Sequence, residues 1–201
     1  MRYLRAVYFG FLSLILLHGA SQAQEIKTSD SLTFNLPNVD GQRVALEQFK
    51  DAKGLMVVFT CNHCPFAKLY PARLNALNKK YKDKGVPLIA VSSTDSVQYE
   101  EDDFAHMVQY AQKEKFTFPY LYDREQTVAK KYKAQKTPHA FLIWKVNGVY
   151  KIVYEGAIDD NGMHANQVKQ AYLADAVENM LAGKKVETPS TKSVGCQIYF
   201  R

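Results

Sequence analysis

The sequence is poor in cysteine. Three in 201 residues are too few to staple a small fold, which excludes a disulfide-built scaffold. No apolar run approaches the ~20 residues that a bilayer-spanning helix needs. No self-similarity at a period of roughly 20–50 residues is visible, so a solenoid or propeller is excluded. The formal net charge is +6, but the lysines are scattered, as at Lys79-Lys80, Lys130-Lys131 and Lys184-Lys185. The focused basic stripe of a nucleic-acid binder is missing, so no nucleic-acid partner is expected. A glycine loop that would cradle phosphate is missing too, and no bound organic cofactor is implied.

What is present is a composition for packing: 47% hydrophobic and 23% charged residues, which fits one ordinary globular domain. Residues 1–23 have the pattern of a signal peptide. Arg2 and Arg5 precede the mostly apolar stretch from Val7 to Leu17, and small residues stand at Ser21 and Ala23. The expectation is an exported chain, periplasmic or secreted, with no stable membrane span once the leader is removed. Residues 24–201 then form a single domain with a tail from about residue 187. In an oxidising compartment a close cysteine pair reads as a disulfide or a redox pair.

Periodicity gives the elements. Ser31 to Leu36 and Gln42 to Leu46 flank Asp40-Gly41, a hairpin signal. Gly54 to Thr60 and Val86 to Ser92 are continuous apolar runs, as for strands buried on both faces. A helix is expected from about Asn62–Pro65 to Lys84, bent at Pro71. Helices over Glu100 to Lys115, Gln126 to Tyr132 and Gln167 to Leu181 follow, with a short strand from Phe118 to Tyr122. Strands Ala140 to Val146 and Val149 to Tyr154 are joined by Asn147-Gly148, too tightly to be parallel. Strands alternating with helices and closing on a hairpin predict a mixed sheet with helices on both faces. The tail shows no period.

Cys61-Asn62-His63-Cys64-Pro65 follows a buried strand and opens the expected helix. A helix N-terminus offers unpaired N–H groups and a positive dipole end, which favour a thiolate at Cys61. His63 adds positive charge when protonated, and Cys64 is placed to resolve a mixed disulfide on Cys61. So short a ring gives the disulfide only ~2 kcal/mol of chain-entropy stabilisation, which points to chemistry rather than architecture.

Thr137-Pro138, ahead of the strand at Ala140, completes a pattern that resembles the thioredoxin fold, in which a cis-proline loop packs against the Cys-x-x-Cys pair. The stretches VVFTCNHCPFA, FPYLYDREQTVAKKYKAQKTPHAFLI, YEGAIDDNG and TKSVGCQIYF are similar to the peroxiredoxin-like branch of that superfamily, the alkyl hydroperoxide reductase/thiol-specific antioxidant type bearing Cys-Asn-His-Cys-Pro. The resemblance implies an α/β, three-layer thioredoxin-like fold with a mixed central sheet, an N-terminal β-hairpin and an inserted helix-strand segment. It also implies thiol–disulfide exchange through Cys61 and Cys64, tuned by His63. A redox-active Cys61–Cys64 disulfide then takes the place of a cofactor.

A substrate groove is expected at Thr137, Pro138, Gly156, Ala157 and Ile158. It would take protein thiol or disulfide substrates, and a redox donor or acceptor would reset the pair. Asp159 or Asp160 at its rim could accept a proton from Cys64, although Asp-Asp-Asn-Gly is also ordinary turn chemistry. Cys196 is either a third redox thiol or an inert cysteine. One departure stands out: where thioredoxin keeps a buried acid beneath its cysteines, this chain has Leu55.

Two other readings stay open. Peroxide reduction fits the branch, but the threonine of the peroxiredoxin Pro-x-x-x-Thr-x-x-Cys pattern is replaced by Val58 relative to Cys61, and by Cys61 relative to Cys64. A Cu(I)- or Zn-binding metallochaperone would use Cys61, His63, Cys64 and His139, a weaker set because structural zinc usually takes a second close pair.

Overall fold

A computed structural model describes residues 32–201. The leader expected at residues 1–23 lies outside them. Among the described residues no helix is long and apolar enough to cross a membrane.

Five strands form the central sheet in the order β5-β4-β3-β7-β8. These are β3 (Gly54–Phe59), β4 (Leu88–Ser92), β5 (Tyr120–Tyr122), β7 (His139–Val146) and β8 (Val149–Gly156). β3, β4 and β5 run parallel, whereas β7 is antiparallel to both β3 and β8. The β7–β8 turn uses Asn147 and Gly148, both at positive φ (52° and 80°), as a tight hairpin requires. The N-terminal hairpin of β1 (Asn35–Pro37) and β2 (Arg43–Ala45) forms as expected.

The period of two in β3 explains why the whole strand is buried. Met56 and Val58 face a core layer with Leu74, Tyr81, Met107, Leu173 and Val177. Those residues come from helices Pro71–Tyr81, Phe104–Lys113 and Tyr172–Leu181. Leu55, Val57 and Phe59 face the opposite layer, built from Leu36 and Val44 of the hairpin, Val128 and Tyr132 of the short helix Thr127–Tyr132, and Ile198 of the tail. The result is three layers with a mixed sheet in the middle. Helix Phe104–Lys113 and β5 supply the inserted helix-strand segment.

Three expectations are corrected. The helix after the cysteines does not open at Asn62–Pro65 and bend at Pro71; it starts at Pro71, which occupies its first turn. Proline lacks an N–H and its ring would clash with the carbonyl of Ala67 in a continuous helix, so the chain breaks there. The intervening residues make a 3₁₀ turn at Ala67–Leu69. The last helix runs over Tyr172–Leu181 rather than from Gln167. The stretch before it spends its backbone groups on a neighbouring loop, through Lys169 N–H to Asp160 Oδ1 (3.0 Å) and Asp160 N–H to the Gln170 carbonyl (3.0 Å).

The tail is not featureless either. Thr191 N–H donates to the Glu155 carbonyl and Glu155 N–H to the Pro189 carbonyl, each at 3.0 Å, so the tail runs along the edge of β8. It then forms β9 (Cys196–Gln197) against β6 (Lys136–Thr137). A pairing of two residues per strand leaves too little period to be seen in sequence.

The β8 contact depends on Gly156. Its φ is +144°, and an added Cβ would collide with the backbone and hydroxyl of Thr191. Gly156→Ala is therefore expected to destabilise the fold by on the order of 2–4 kcal/mol, from strained backbone plus overpacking. Thermal denaturation followed by circular dichroism checks this, and an unchanged melting temperature would show that the tail does not need this close approach.

Candidate active site

The register of β3 against β7 pairs Phe59 with His139. The residues just beyond β3 and just before β7 therefore meet at one end of the sheet. Cys61 Sγ is hydrogen-bonded to Thr137 Oγ1 at 3.1 Å, and Cys64 Sγ lies 3.2 Å from the Thr137 carbonyl oxygen. The Thr137-Pro138 peptide bond is cis. Cys61 is 1% exposed and Cys64 0%.

The Cys61–Cys64 loop is clamped from a second side. The Asn62 N–H donates to Asp102 Oδ1, and Asn62 Nδ2 donates to the Glu101 carbonyl at 2.6 Å. Tyr120 donates its hydroxyl to Asn62 Oδ1 at 2.9 Å. His63 Nδ1 pairs with Asp102 Oδ2, and the His63 ring stacks on Tyr99 with centroids 3.9 Å apart. Asp102 has a fully buried side chain, and burial of a carboxylate is tolerated only when it is paired and hydrogen-bonded.

Asp102, Tyr99 and Tyr120 were not singled out in the sequence. Asp102 is hidden in the acidic run Glu100-Glu101-Asp102-Asp103, which reads as a solvated helix face. The available signal was topological: the run follows β4, the parallel neighbour of β3, and so reaches the carboxyl end of the same sheet. Leu55, the position that lacks thioredoxin's acid, is buried, and the buried acid comes from this other element.

The expected acidity of Cys61 is corrected. No α-helix starts beneath it, since the helix begins at Pro71. Burial pushes the Cys61 thiol up; its hydrogen bond with Cys64 and the charge of Asp102 act in the same direction. Cys64 is instead held down to about 4, first by the hydrogen bond from Cys61, then by Cys196 and the Ala67 N–H, against the cost of burial. The contact of Cys64 with the Thr137 carbonyl suits only a thiol, but several donors converge on that sulfur and outweigh one acceptor. Both shifts favour the proton on Cys61 over Cys64.

The other expected residues separate. Pro138, Ala157 and Ile158 line one cavity of about 470 Å³ together with Phe66, Tyr70 and Val194. Thr137 faces the sulfurs, and Gly156 packs on Thr191. Asp159 is also at the cavity, but Arg73 Nη1 (2.6 Å), the Tyr70 hydroxyl (3.2 Å) and the Asn161 N–H (3.1 Å) occupy its oxygens. Asp160 accepts from the Lys169 N–H. Both carboxylates are thus spent on the loop rather than on Cys64. Cys196 packs against Cys61, Cys64 and Ala67. Of the weaker metal set, Cys61 and His63 do bring ligand atoms within 4.8 Å of each other, with Asp102 as the third member. His139 is outside that group, its Nδ1 accepting from the Gln135 N–H at 3.2 Å and its ring 4.4 Å from Phe141.

A sequence profile described as the AhpC/TSA family matches residues 29–156. The thiol-disulfide oxidoreductase ResA of Bacillus thuringiensis subsp. konkukian is 29% identical over 112 residues, covering 56% of this chain and 60% of ResA. The chain thus spans about three fifths of that relative's length. The crystal structure of an uncharacterized conserved protein from Geobacillus kaustophilus is 35% identical, with a TM-score of 0.79 over 88% of this chain and 92% of that one. The thioredoxin domain of a thiol-disulfide oxidoreductase from Bacteroides vulgatus shares the fold at 22% identity, with a TM-score of 0.51 over 64% of this chain and 87% of that one.

This placement of the proton has a measurable signature. The thiolate absorbance of the reduced protein should titrate with a midpoint near 4, and Cys61→Ala, which removes the donor, should move it toward the free-thiol value of ~8.5. A depressed thiol stabilises the folded state fully above its unfolded value, and that contribution is lost as pH falls through the folded value. The stability difference between reduced wild type and Cys64→Ser should therefore shrink from about pH 8.5 down to about pH 4. A low-pH midpoint that survives in Cys64→Ser would place the thiolate on Cys61.

Proposed function

The chain belongs to the AhpC/TSA family, and on that premise we propose that it is a thiol–disulfide oxidoreductase acting on protein substrates through Cys61 and Cys64. The observation that carries this reading is the contact of both sulfurs with Thr137 (3.1 and 3.2 Å), beside a cavity lined by Pro138, Ala157 and Ile158. Phe66, Met163 and Val194 are 39%, 65% and 61% exposed around that cavity, so it suits apolar side chains of an extended peptide. The apolar stretch from Val7 to Leu17, behind Arg2 and Arg5, supports export. No organic cofactor is invoked.

The chemistry follows from the placement of the proton. As Cys61 attacks a substrate disulfide, its proton passes to the Cys64 thiolate, and the transfer is drawn forward because the S–S bond forming at Cys61 removes that sulfur's basicity. The Thr137 hydroxyl donates to the forming Cys61 thiolate. The substrate S–S bond breaks, a Cys61–substrate S–S bond forms, and the departing substrate sulfur takes the electron pair and then the proton from Cys64. Cys64 is again a thiolate and attacks Cys61 Sγ, releasing the second substrate sulfur. Two electrons have moved from the pair to the substrate; the reverse sequence oxidises a dithiol. His63 and Asp102 hold the loop between the cysteines in place.

A second reading, peroxide reduction, is favoured by one feature. The hydroxyl missing from the expected peroxiredoxin position is supplied across space by Thr137, 3.1 Å from Cys61. With Cys61 only 1% exposed, a hydroperoxide would also need less opening of the site than a polypeptide.

One experiment separates the two. Reduced protein is equilibrated with glutathione buffers, a Cys64→Ser variant is used to trap partners on Cys61, and peroxide consumption is followed in parallel. Exchange with a defined potential and trapped protein mixed disulfides are expected. Peroxide turnover without exchange at any glutathione poise would overturn the proposal. Thr137→Val should slow exchange by roughly ten- to a hundredfold, the worth of one hydrogen bond to a charged sulfur; an unchanged rate would remove Thr137 from the mechanism.

A further inference from the structure

The tail brings Gly195 and Cys196 to the same threonine that the two cysteines meet. Upstream of Cys196 the tail is fixed to β8 through Thr191, whose hydroxyl also accepts from the Ala157 N–H at 2.9 Å. Downstream, Ile198 N–H donates to the Gln135 carbonyl at 2.8 Å, and the Ile198 side chain is 3% exposed in the core. Between these anchors Cys196 is paired with Thr137 in the antiparallel β6–β9 ladder. The approach is close enough to require glycine at the preceding position, because a Cβ on Gly195 would fall on the Thr137 carbonyl and within 3.1 Å of Pro138 N. The backbone of Thr137 is thereby engaged by the chain's own tail as an incoming peptide strand would engage it. The tail delivers its thiol to the cluster of Cys61, Cys64 and Ala67.

We infer that Cys196 is a third redox thiol that exchanges with the Cys61–Cys64 disulfide to form a Cys64–Cys196 disulfide. In this step the Cys196 thiolate attacks Cys64 Sγ and the Cys64–Cys196 bond forms. The Cys61–Cys64 bond breaks, and its electron pair stays on Cys61, which takes up the proton lost by Cys196. No net oxidation occurs, so no further oxidant is required. The oxidising equivalent moves to the tail, and Cys61 becomes a free thiol in an oxidised protein.

The surroundings order the two steps in time. In the reduced protein Cys196 is pushed up to about 11, first by burial and then by the neighbouring Cys64 sulfur, while Lys136 acts in the opposite direction. Once Cys64 is bonded to Cys61 its negative charge is gone. Lys136, with its Nζ 3.5 Å from the Gly195 carbonyl, remains. Burial and the charge of Asp102 still oppose ionisation, but with the Cys64 charge removed Cys196 ionises more readily once the first disulfide exists. The same ordering keeps the tail thiol idle while Cys61 and Cys64 await a substrate.

This inference rests on the redox reading of Cys61 and Cys64, but its test reads the position of a bond rather than turnover. The full-length wild-type chain is oxidised with diamide, which needs no docked protein, then quenched in acid, alkylated and mapped by mass spectrometry without reduction. Peptides joined through Cys64–Cys196 are expected beside those joined through Cys61–Cys64, at a ratio on the order of one tenth or more. Their absence from the wild type would overturn the inference. In Cys61→Ser the Cys64–Cys196 linkage should become the main product. If that variant instead carries both thiols free after diamide, Cys196 does not reach Cys64 and the inference fails. A chain that forms the Cys64–Cys196 bond yet exchanges with no protein disulfide would refute the proposed function alone.

Discussion

The geometry of this protein depends on one threonine held between two sulfurs. Thr137 presents its hydroxyl to Cys61 and its carbonyl to Cys64, and it is itself 2% exposed. That arrangement is set by strand register. β7 lies directly beside β3 with Phe59 opposite His139, so any slip by one residue would turn Thr137 away from the pair and reverse the faces of both strands. β3 is apolar on both faces and packs into a core layer on each side, which holds it at the centre of the sheet beside β7. The chemistry is thus positioned by the hydrophobic pattern of a strand that carries none of it.

Burial decides what the pair can do. In an exposed Cys-x-x-Cys loop over a helix end, each thiol would titrate against water and a dipole. Here the helix begins well after the cysteines, at Pro71, and water is excluded. Burial and the contact between the two sulfurs then drive their acidities apart, Cys61 upward and Cys64 downward. A buried carboxylate beside Cys61 would be costly unless neutralised or hydrogen-bonded. Asp102 meets that condition by holding the Asn62 N–H and His63, which makes it at once the anchor of the loop and a reason for Cys61 to keep its proton.

The parts of this arrangement that were legible in the sequence are those written in short range. Gly54 to Thr60 predicts a strand, Asn147-Gly148 a hairpin, and the order of elements a mixed sheet, and the loop Cys61 to Cys64 follows that strand as expected. The cavity shared by Pro138, Ala157 and Ile158 followed from resemblance, as did the place of Thr137. What was not legible depended on contacts across the fold. Asp102 resembles its acidic neighbours until β4 brings it to the carboxyl end of β3. The acidity expected of Cys61 depends on a helix running through Pro71, where proline chemistry stops it. Asp159 looked like a proton acceptor only while Arg73, on a helix distant in sequence, was out of view.

The tail follows from the same logic. An exposed backbone edge beside a reactive sulfur invites pairing with any extended chain. At Thr137 that edge is already covered by the molecule's own residues, and a substrate strand and β9 cannot pair with the same backbone groups at once. Docking by pairing there therefore requires the tail to yield, whereas docking through the cavity at Pro138 does not. Anchors at Thr191 and Ile198 on either side of Cys196 confine such a movement to a few residues. The segment between those anchors bears Cys196, so a strand that paired with the Thr137 backbone would have to displace Cys196 with it.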